Sequence, residues 1–136
     1  MSVVVDNSMA LAWTLIDEQS AASDEVLDRV MKYGASVPFI FRAEFANGLT
    51  MAVRRKRIDA KARAEALEFI ETLALSHDEE GKSRMAATVE LADRYSLSVY
   101  DALYLELAQR LGRPLATFDK KLIAAARDAA VPLSAS

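Results

Sequence analysis

Residues 3–8 read Val-Val-Val-Asp-Asn-Ser, and this short stretch decides the fold class of the chain. Three consecutive β-branched residues predict a buried strand, and the polar residues that follow end it. An apolar segment with the residue types of a helix comes next, so the chain opens as a strand followed by a helix. Asp6 is therefore expected at the carboxyl end of a strand, where open α/β folds place their ligand sites.

Strands and helices continue to alternate along the rest of the 136 residues. Further short strands are predicted at 36–39, 73–77, 115–118 and 131–133, with apolar residues at helical spacing between them. Alternation with short links predicts a three-layer α/β/α fold, with a short, mostly parallel central sheet and helices on both faces. We expect one domain over residues 1–136, because this length suits one domain and is too small for two.

Capping residues mark the predicted helix boundaries. Side-chain oxygens that accept from the first free amides are expected at four N-caps, which are Ser8, Asp59, Ser98 and Asp119. Gly34 and Gly112 are expected to stop the helices that precede them.

The composition excludes several classes of chemistry. The chain has no cysteine and a single histidine, His77, which excludes disulfides, thiolate zinc sites and catalysis by two histidines. A net charge of −3 argues against a general polyanion binder. No basic segment precedes Val3, and no apolar run approaches the roughly 18 residues that span a bilayer. We therefore expect a cytoplasmic protein without a membrane segment.

Four acidic residues lie at element boundaries or in strongly apolar surroundings: Asp6, Glu44, Asp101 and Asp119. Ionised carboxylates near a core are costly unless a positive charge neutralises them, and no lysine or arginine flanks Asp6 or Asp101. A cage of hard oxygens suits Mg²⁺, for which Mn²⁺ can substitute. Ser8 and Thr117 stand beside two of the acids, and their hydroxyls are expected to support the site.

Each acid also has an ordinary structural explanation. A turn, a helix dipole, a helix cap and a solvated helix face account for the four positions one at a time.

The role of the basic residues also has two explanations. The run Arg54, Arg55, Lys56 and Arg57 at a helix end, and Lys120 after Asp119, predict either contacts with an RNA backbone or solvated faces.

Four motifs in this order resemble those of the PIN-domain nucleases, most closely the VapC toxins of bacterial toxin–antitoxin pairs. They are the strand that ends in Asp6, the E-x-x-N pattern of Glu44 and Asn47, the segment Y-D-A-L-Y-L-E-L-A around Asp101, and the T-F-D that ends at Asp119. The resemblance implies a metal-dependent endoribonuclease in which the four acids bind the metal and perform catalysis. Asn47 and Thr117 would then be supporting polar groups.

The resemblance also implies partners. A small cognate antitoxin, an RNA substrate, a homodimer and a dimer of toxin–antitoxin pairs are expected. The apolar early helices, with Trp13, Leu15, Val26 and Val30, are predicted to form the groove for an antitoxin helix. The alternatives are an aspartyl-phosphate hydrolase, which would need D-x-D at Asp6, a receiver-like phosphoacceptor module, and a non-catalytic protein whose acids are helix caps.

Overall fold

The computed structural model describes residues 2–134 of the chain. These residues form a four-stranded parallel sheet with helices around it. The strands are β1 (Val3–Val5), β2 (Ala35–Pro38), β3 (Leu75–Asp78) and β4 (Leu115–Ala116). Their order across the sheet is β3-β2-β1-β4, and all three pairings are parallel. The chain builds outward from β1 on one side and then returns to its other side. The strand order therefore reverses at β1, and the carboxyl end of β1 is where such folds place a ligand site.

The helices account for most of the remaining chain. They are α1 (Asn7–Thr14), α2 (Ala21–Tyr33), α3 (Phe41–Arg54), α4 (Ala60–Glu71), α5 (Met85–Tyr95), α6 (Val99–Leu111) and α7 (Lys120–Asp128), with 3-10 turns at Ile16–Glu18 and Glu80–Ser83. The predicted three-layer α/β/α fold with a short parallel sheet is confirmed. Residues 1, 135 and 136 of the predicted domain lie outside the described part of the chain.

The strand predicted at 131–133 is reduced to a single bridge between Leu133 and Leu115. Two backbone hydrogen bonds hold it there, since Leu115 N donates to Pro132 O and Ser134 N donates to Leu115 O, each at 2.9 Å. Within residues 2–134 no helix is both long and apolar enough to cross a membrane.

Three of the four predicted N-caps are confirmed. The side chains of Asp59, Ser98 and Asp119 each accept a hydrogen bond from the amide three residues later. The prediction that Ser8 caps the first helix is wrong. Asp6 is the cap of α1 and accepts from the Met9 amide at 3.0 Å. The Ser8 hydroxyl instead donates to Asp6 and accepts from the Phe118 amide.

Gly34 ends α2 as predicted, and its backbone explains why glycine stands there. Its φ and ψ of 75° and −178° lie in a region that side chains rarely allow. A Cβ at this position would also lie 2.8 Å from the carbonyl oxygen of Ala74.

The predicted antitoxin groove on the early helices is wrong, because its residues belong to the core. Trp13, Leu15, Val26 and Val30 are all buried, and Trp13 is the most exposed of them at 6%. The apolar face of α1 is already covered by α2 and α3. Helix α6 is buried on several sides, because every residue from 102 to 108 is buried.

Candidate active site

The four predicted acids line one cavity at the carboxyl ends of the strands. This acid cavity has a volume of about 260 Å³, and the residues around it are Asp6, Asn7, Ser8, Leu11, Glu18, Glu44, Asp101, Tyr104 and Asp119. Asp6 follows β1, Glu44 comes from α3, Asp101 from the first turn of α6, and Asp119 from the loop between β4 and α7. Four separate segments therefore bring their carboxylates to the reversal point of the sheet.

Asp6 is the most deeply placed of the four acids, with 4% of its surface exposed. Its Oδ2 accepts a hydrogen bond from Thr117 Oγ1 at 2.5 Å, and its Oδ1 accepts from Ser8 Oγ at 2.7 Å and from the Met9 amide at 3.0 Å. Burial raises the pKa of Asp6 from 3.8 to about 6, although the three hydrogen bonds and the burial act in opposite directions. The folded protein therefore carries this charge at a cost.

Ser8 and Thr117 connect Asp6 to the loop that leads into α7. Ser8 Oγ accepts from the Phe118 amide at 2.9 Å, and Thr117 Oγ1 accepts from the Asp119 amide at 3.0 Å. The two hydroxyls thus fix the loop and orient the buried carboxylate at the same time. The expected role of these two hydroxyls in supporting a metal site stays a prediction.

Glu44 is held by a residue that the sequence reasoning missed. The hydroxyl of Tyr104 donates to Glu44 Oε1 at 2.6 Å, across 60 residues of sequence. Burial raises the pKa of Glu44, the Tyr104 hydrogen bond lowers it, and the charge of Asp101 raises it. A buried tyrosine needs a partner for its hydroxyl. That requirement was the only sequence signal that pointed to such a role.

Asp101 is the electrostatic centre of the acid cavity. Burial raises the pKa of Asp101, and the charge of Asp119 raises it further, while Lys121 lowers it. The charge of Asp101 in turn raises the pKa of both Asp6 and Glu44. Each of the other three carboxylates is therefore close enough to Asp101 for the two charges to repel.

The acids do not form a finished metal cage. Among residues 2–134, no group of three or more His, Asp or Glu side chains is arranged so that it could hold a metal ion as it stands. The hydrogen bonds explain this, because Thr117 and Ser8 hold Asp6, Tyr104 holds Glu44, and Asp119 Oδ1 accepts from the Leu122 amide at 2.9 Å. The predicted convergence is correct, but binding a metal requires some of these side chains to turn.

The side-chain atoms of the four acids that could act as metal ligands nevertheless fit a divalent cation. All are oxygens, which suit Mg²⁺ and Mn²⁺. Within the described residues none of the four acids forms an ion pair. Asn7 Oδ1, on the wall of the same cavity, is buried without a hydrogen-bond partner. A cation would give the buried carboxylates a counter-charge, and it would give this oxygen a partner.

Other predicted residues lie outside the acid cavity. Asn47 is exposed and lines a neighbouring cavity that shares Glu44 as a wall. Arg54, Arg55, Lys56 and Lys120 are exposed. Arg57 forms exposed ion pairs with Asp17 at 2.8 Å and with Glu18 at 2.7 Å, and Glu18 itself lines the acid cavity. One cation of the basic run is therefore already paired within the chain.

Comparisons with known proteins agree with this architecture. The family model described as PIN domain matches residues 3–128. The structure of PAE2754 from Pyrobaculum aerophilum is similar with a TM-score of 0.70 and 22% identity, over 92% of this chain and 79% of that chain. A toxin–antitoxin complex from Klebsiella pneumoniae gives a TM-score of 0.57 and 18% identity, over 90% of this chain and 91% of that chain. At these identities the two structures show a shared fold. The comparison with curated proteins gives no match.

Proposed function

The chain belongs to the PIN domain family, and we propose that it is a metal-dependent endoribonuclease of the VapC type, the toxin of a toxin–antitoxin pair. PIN domains are nucleases and generally use divalent metal ions. One observation carries the proposal. Asp6, Glu44, Asp101 and Asp119 line a single cavity at the sheet's reversal point, and the deepest of them, Asp6, is buried without an ion pair among residues 2–134.

We assign the four acids as the residues that bind the metal and perform catalysis. A divalent cation bound there would supply Lewis acidity, lowering the pKa of water and offsetting the charge of a phosphate group. Mg²⁺ is the proposed ion, and Mn²⁺ should replace it. The expected reaction is in-line hydrolysis that leaves a 5′-phosphate and a 3′-hydroxyl.

The neighbouring side chains of Thr117, Ser8 and Tyr104 position two of the acids. Thr117 and Ser8 hold the two oxygens of Asp6, so this carboxylate can turn only within narrow limits. Tyr104 donates a hydrogen bond to one oxygen of Glu44, Oε1. Because the pKa of Asp6 is about 6, its carboxyl must release a proton in a fraction of the molecules when a cation binds near neutral pH.

The non-catalytic alternative has one observation in its favour, since Asp6 and Asp119 do cap helices. Capping alone does not require burial, as the cap of α4 illustrates. Asp59 performs the same capping role with an exposed side chain, whereas only 4% of Asp6 is exposed. The burial of Asp6 therefore favours a site over a set of caps.

The activity can be tested with purified protein and single-stranded RNA. Cleavage is expected with Mg²⁺ or Mn²⁺, and none in EDTA. Asp101→Asn should abolish cleavage. Asp93→Asn, the same chemical change at an exposed position of α5, should leave it intact. Undiminished cleavage in EDTA, or equal activity of the Asp101 variant and the wild type, would contradict the assignment.

The partners are part of the same proposal. The neighbour from Klebsiella pneumoniae is a toxin–antitoxin complex, and we propose that this chain also has a small antitoxin. We further propose a homodimer, a dimer of toxin–antitoxin pairs, and action on RNA in the cytoplasm. Expression of this chain alone should arrest growth, and co-expression of the protein encoded beside it should restore growth. Unaffected growth, with no neighbouring protein co-purifying, would remove the support for a toxin.

A further inference from the structure

A second cavity adjoins the acid cavity and is not used by the chemistry above. Its volume is about 340 Å³, and its lining residues are Ile40, Ala43, Glu44, Asn47 and Tyr100. It lies between α3 and the first turn of α6. Glu44 lines both cavities, and Tyr100 immediately precedes Asp101. The two cavities therefore meet at Glu44, so a single ligand can extend from one into the other.

Tyr100 is placed differently from the other aromatic residue of this helix. Tyr104 is 1% exposed and its hydroxyl is engaged with Glu44, whereas Tyr100 is 60% exposed. The next seven residues after Asp101 are all buried, so Tyr100 lies where α6 emerges at the site. An exposed aromatic face at such a position is the usual platform on which single-stranded nucleic acids stack their bases.

The charges of this cavity restrict what can occupy it. Its lining contains one carboxylate, Glu44, and no cation. A phosphate group would be repelled there, so the occupant should be an uncharged part of a ligand. Asn47 contributes an amide, which both donates and accepts hydrogen bonds as the edge of a nucleobase requires. The flat ring and the amide together match an uncharged aromatic heterocycle.

We propose that this cavity is a subsite for the nucleobase next to the scissile phosphate of a single-stranded RNA. Tyr100 is the stacking platform, and Asn47 contacts the edge of the base. This inference rests on the proposed ribonuclease function, because the acid cavity must bind the phosphate from which the base extends. The base subsite then places the phosphodiester against the four acids.

The test uses RNA oligonucleotides that lack a single base at each position around the cleavage site. At one position next to the cleaved bond, removing the base should lower kcat/KM of the wild type by about 5- to 100-fold, the range expected for one stacked base. Tyr100→Ala should show a similar loss on intact RNA and no further loss on that abasic RNA. Tyr100→Phe keeps the ring, so it should retain the abasic penalty that Tyr100→Ala loses.

Tyr33→Ala is the matched control. Tyr33 is 51% exposed, but it lies at the end of α2 and next to the amino-terminal end of β2. The acids lie at the opposite, carboxyl ends of the strands. This variant should cleave intact RNA like the wild type and keep the full abasic penalty. The measurement on the wild type does not depend on how any variant folds.

Three results would overturn the base subsite while leaving the ribonuclease in place. In the first, the wild type cleaves every abasic RNA as well as intact RNA. In the second, Tyr100→Ala still loses activity on the abasic RNA. In the third, sedimentation shows that Tyr100→Ala has a different oligomeric state from the wild type. The last result would make this surface a protein interface. If the wild type cleaves no RNA at all, the proposed function fails and the base subsite fails with it.

Discussion

Replacing Asp6 by asparagine should make the metal-free protein more stable at neutral pH. Asp6 is 4% exposed, and burial raises its pKa from 3.8 to about 6. The folded state therefore holds the proton more tightly than the unfolded chain does. Below about pH 4 the Asp6 carboxyl is protonated in both states and does not lower the free energy of unfolding. As the pH rises from about 4 to about 6, the free energy of unfolding falls, because the unfolded chain ionises first.

The size of the effect follows from the two pKa values. A tenfold change in an acid dissociation constant corresponds to about 1.4 kcal/mol. With the pKa of Asp6 at about 6 in the folded protein and 3.8 as its ordinary value, the ionised carboxylate should lower the free energy of unfolding by about 3 kcal/mol at pH 7. Asparagine keeps the shape of aspartate and carries no charge, so Asp6→Asn should remove this pH-dependent loss.

The assay is urea unfolding of the wild type and the variant in EDTA at pH 4, 5, 6 and 7. The free energy of unfolding of the variant minus that of the wild type should grow by about 2.5 kcal/mol across this range, because a small part of the total is already lost at pH 4. Hydrogen bonds that asparagine fails to reproduce shift the difference at every pH, so the change with pH isolates the charge. Asp59→Asn is the control, because Asp59 is an exposed cap and its difference should change little with pH.

Addition of Mg²⁺ provides the second half of this test. The ion should stabilise the wild type more than Asp6→Asn, because the variant lacks the most deeply buried of the four charges that the ion can neutralise. A difference that stays constant from pH 4 to pH 7 would refute the electrostatic argument. Equal stabilisation of both proteins by Mg²⁺ would refute the assignment of Asp6 as a metal ligand.

Two further substitutions test a positioning contact and a backbone constraint. Tyr104→Phe removes the donor to Glu44, so the pKa of Glu44 should rise and the acid limb of the pH–rate profile should move to higher pH; an unchanged profile would contradict this role. Gly34→Ala should lower the free energy of unfolding in urea by about 1–3 kcal/mol, given its backbone angles and the 2.8 Å contact with Ala74. Gly112→Ala should cost less, because no atom lies within 4 Å of the added Cβ.

The layered fold could be predicted because its signals are local. Short β-branched runs, apolar residues at helical spacing and capping side chains act over a few residues. The error at Ser8 shows the limit of such signals. Asp6 and Ser8 are both good capping residues two positions apart, and the Ser8 hydroxyl is engaged by the Phe118 amide, which lies 110 residues away in sequence. A rule that considers only neighbouring residues cannot predict that contact.

The failed antitoxin groove has a similar cause. The sequence shows that α1 is apolar, but not which element covers it. In the structure α3 packs on α1 with Gly48 against Leu11, so closely that a Cβ on Gly48 would lie 2.7 Å from the Leu11 side chain. A glycine within a helix was the only sign in the sequence of this close approach. Tyr104 escaped notice for the same reason, since its partner Glu44 is 60 residues away.

The four acids could be predicted because the topology makes helix caps and ligand groups coincide. In a parallel α/β unit the helix that follows a strand begins at the strand's carboxyl end. Ligands also bind at that end of the strands in such folds. Asp6 and Asp119 cap α1 and α7 at that edge, so capping already brings two carboxylates to the site. The position of an acid therefore cannot separate a cap from a metal ligand. Burial can, because a cap functions equally well in solvent. Among residues 2–134 Asp6 is buried without an ion pair, and this supports our proposal that a cation binds there.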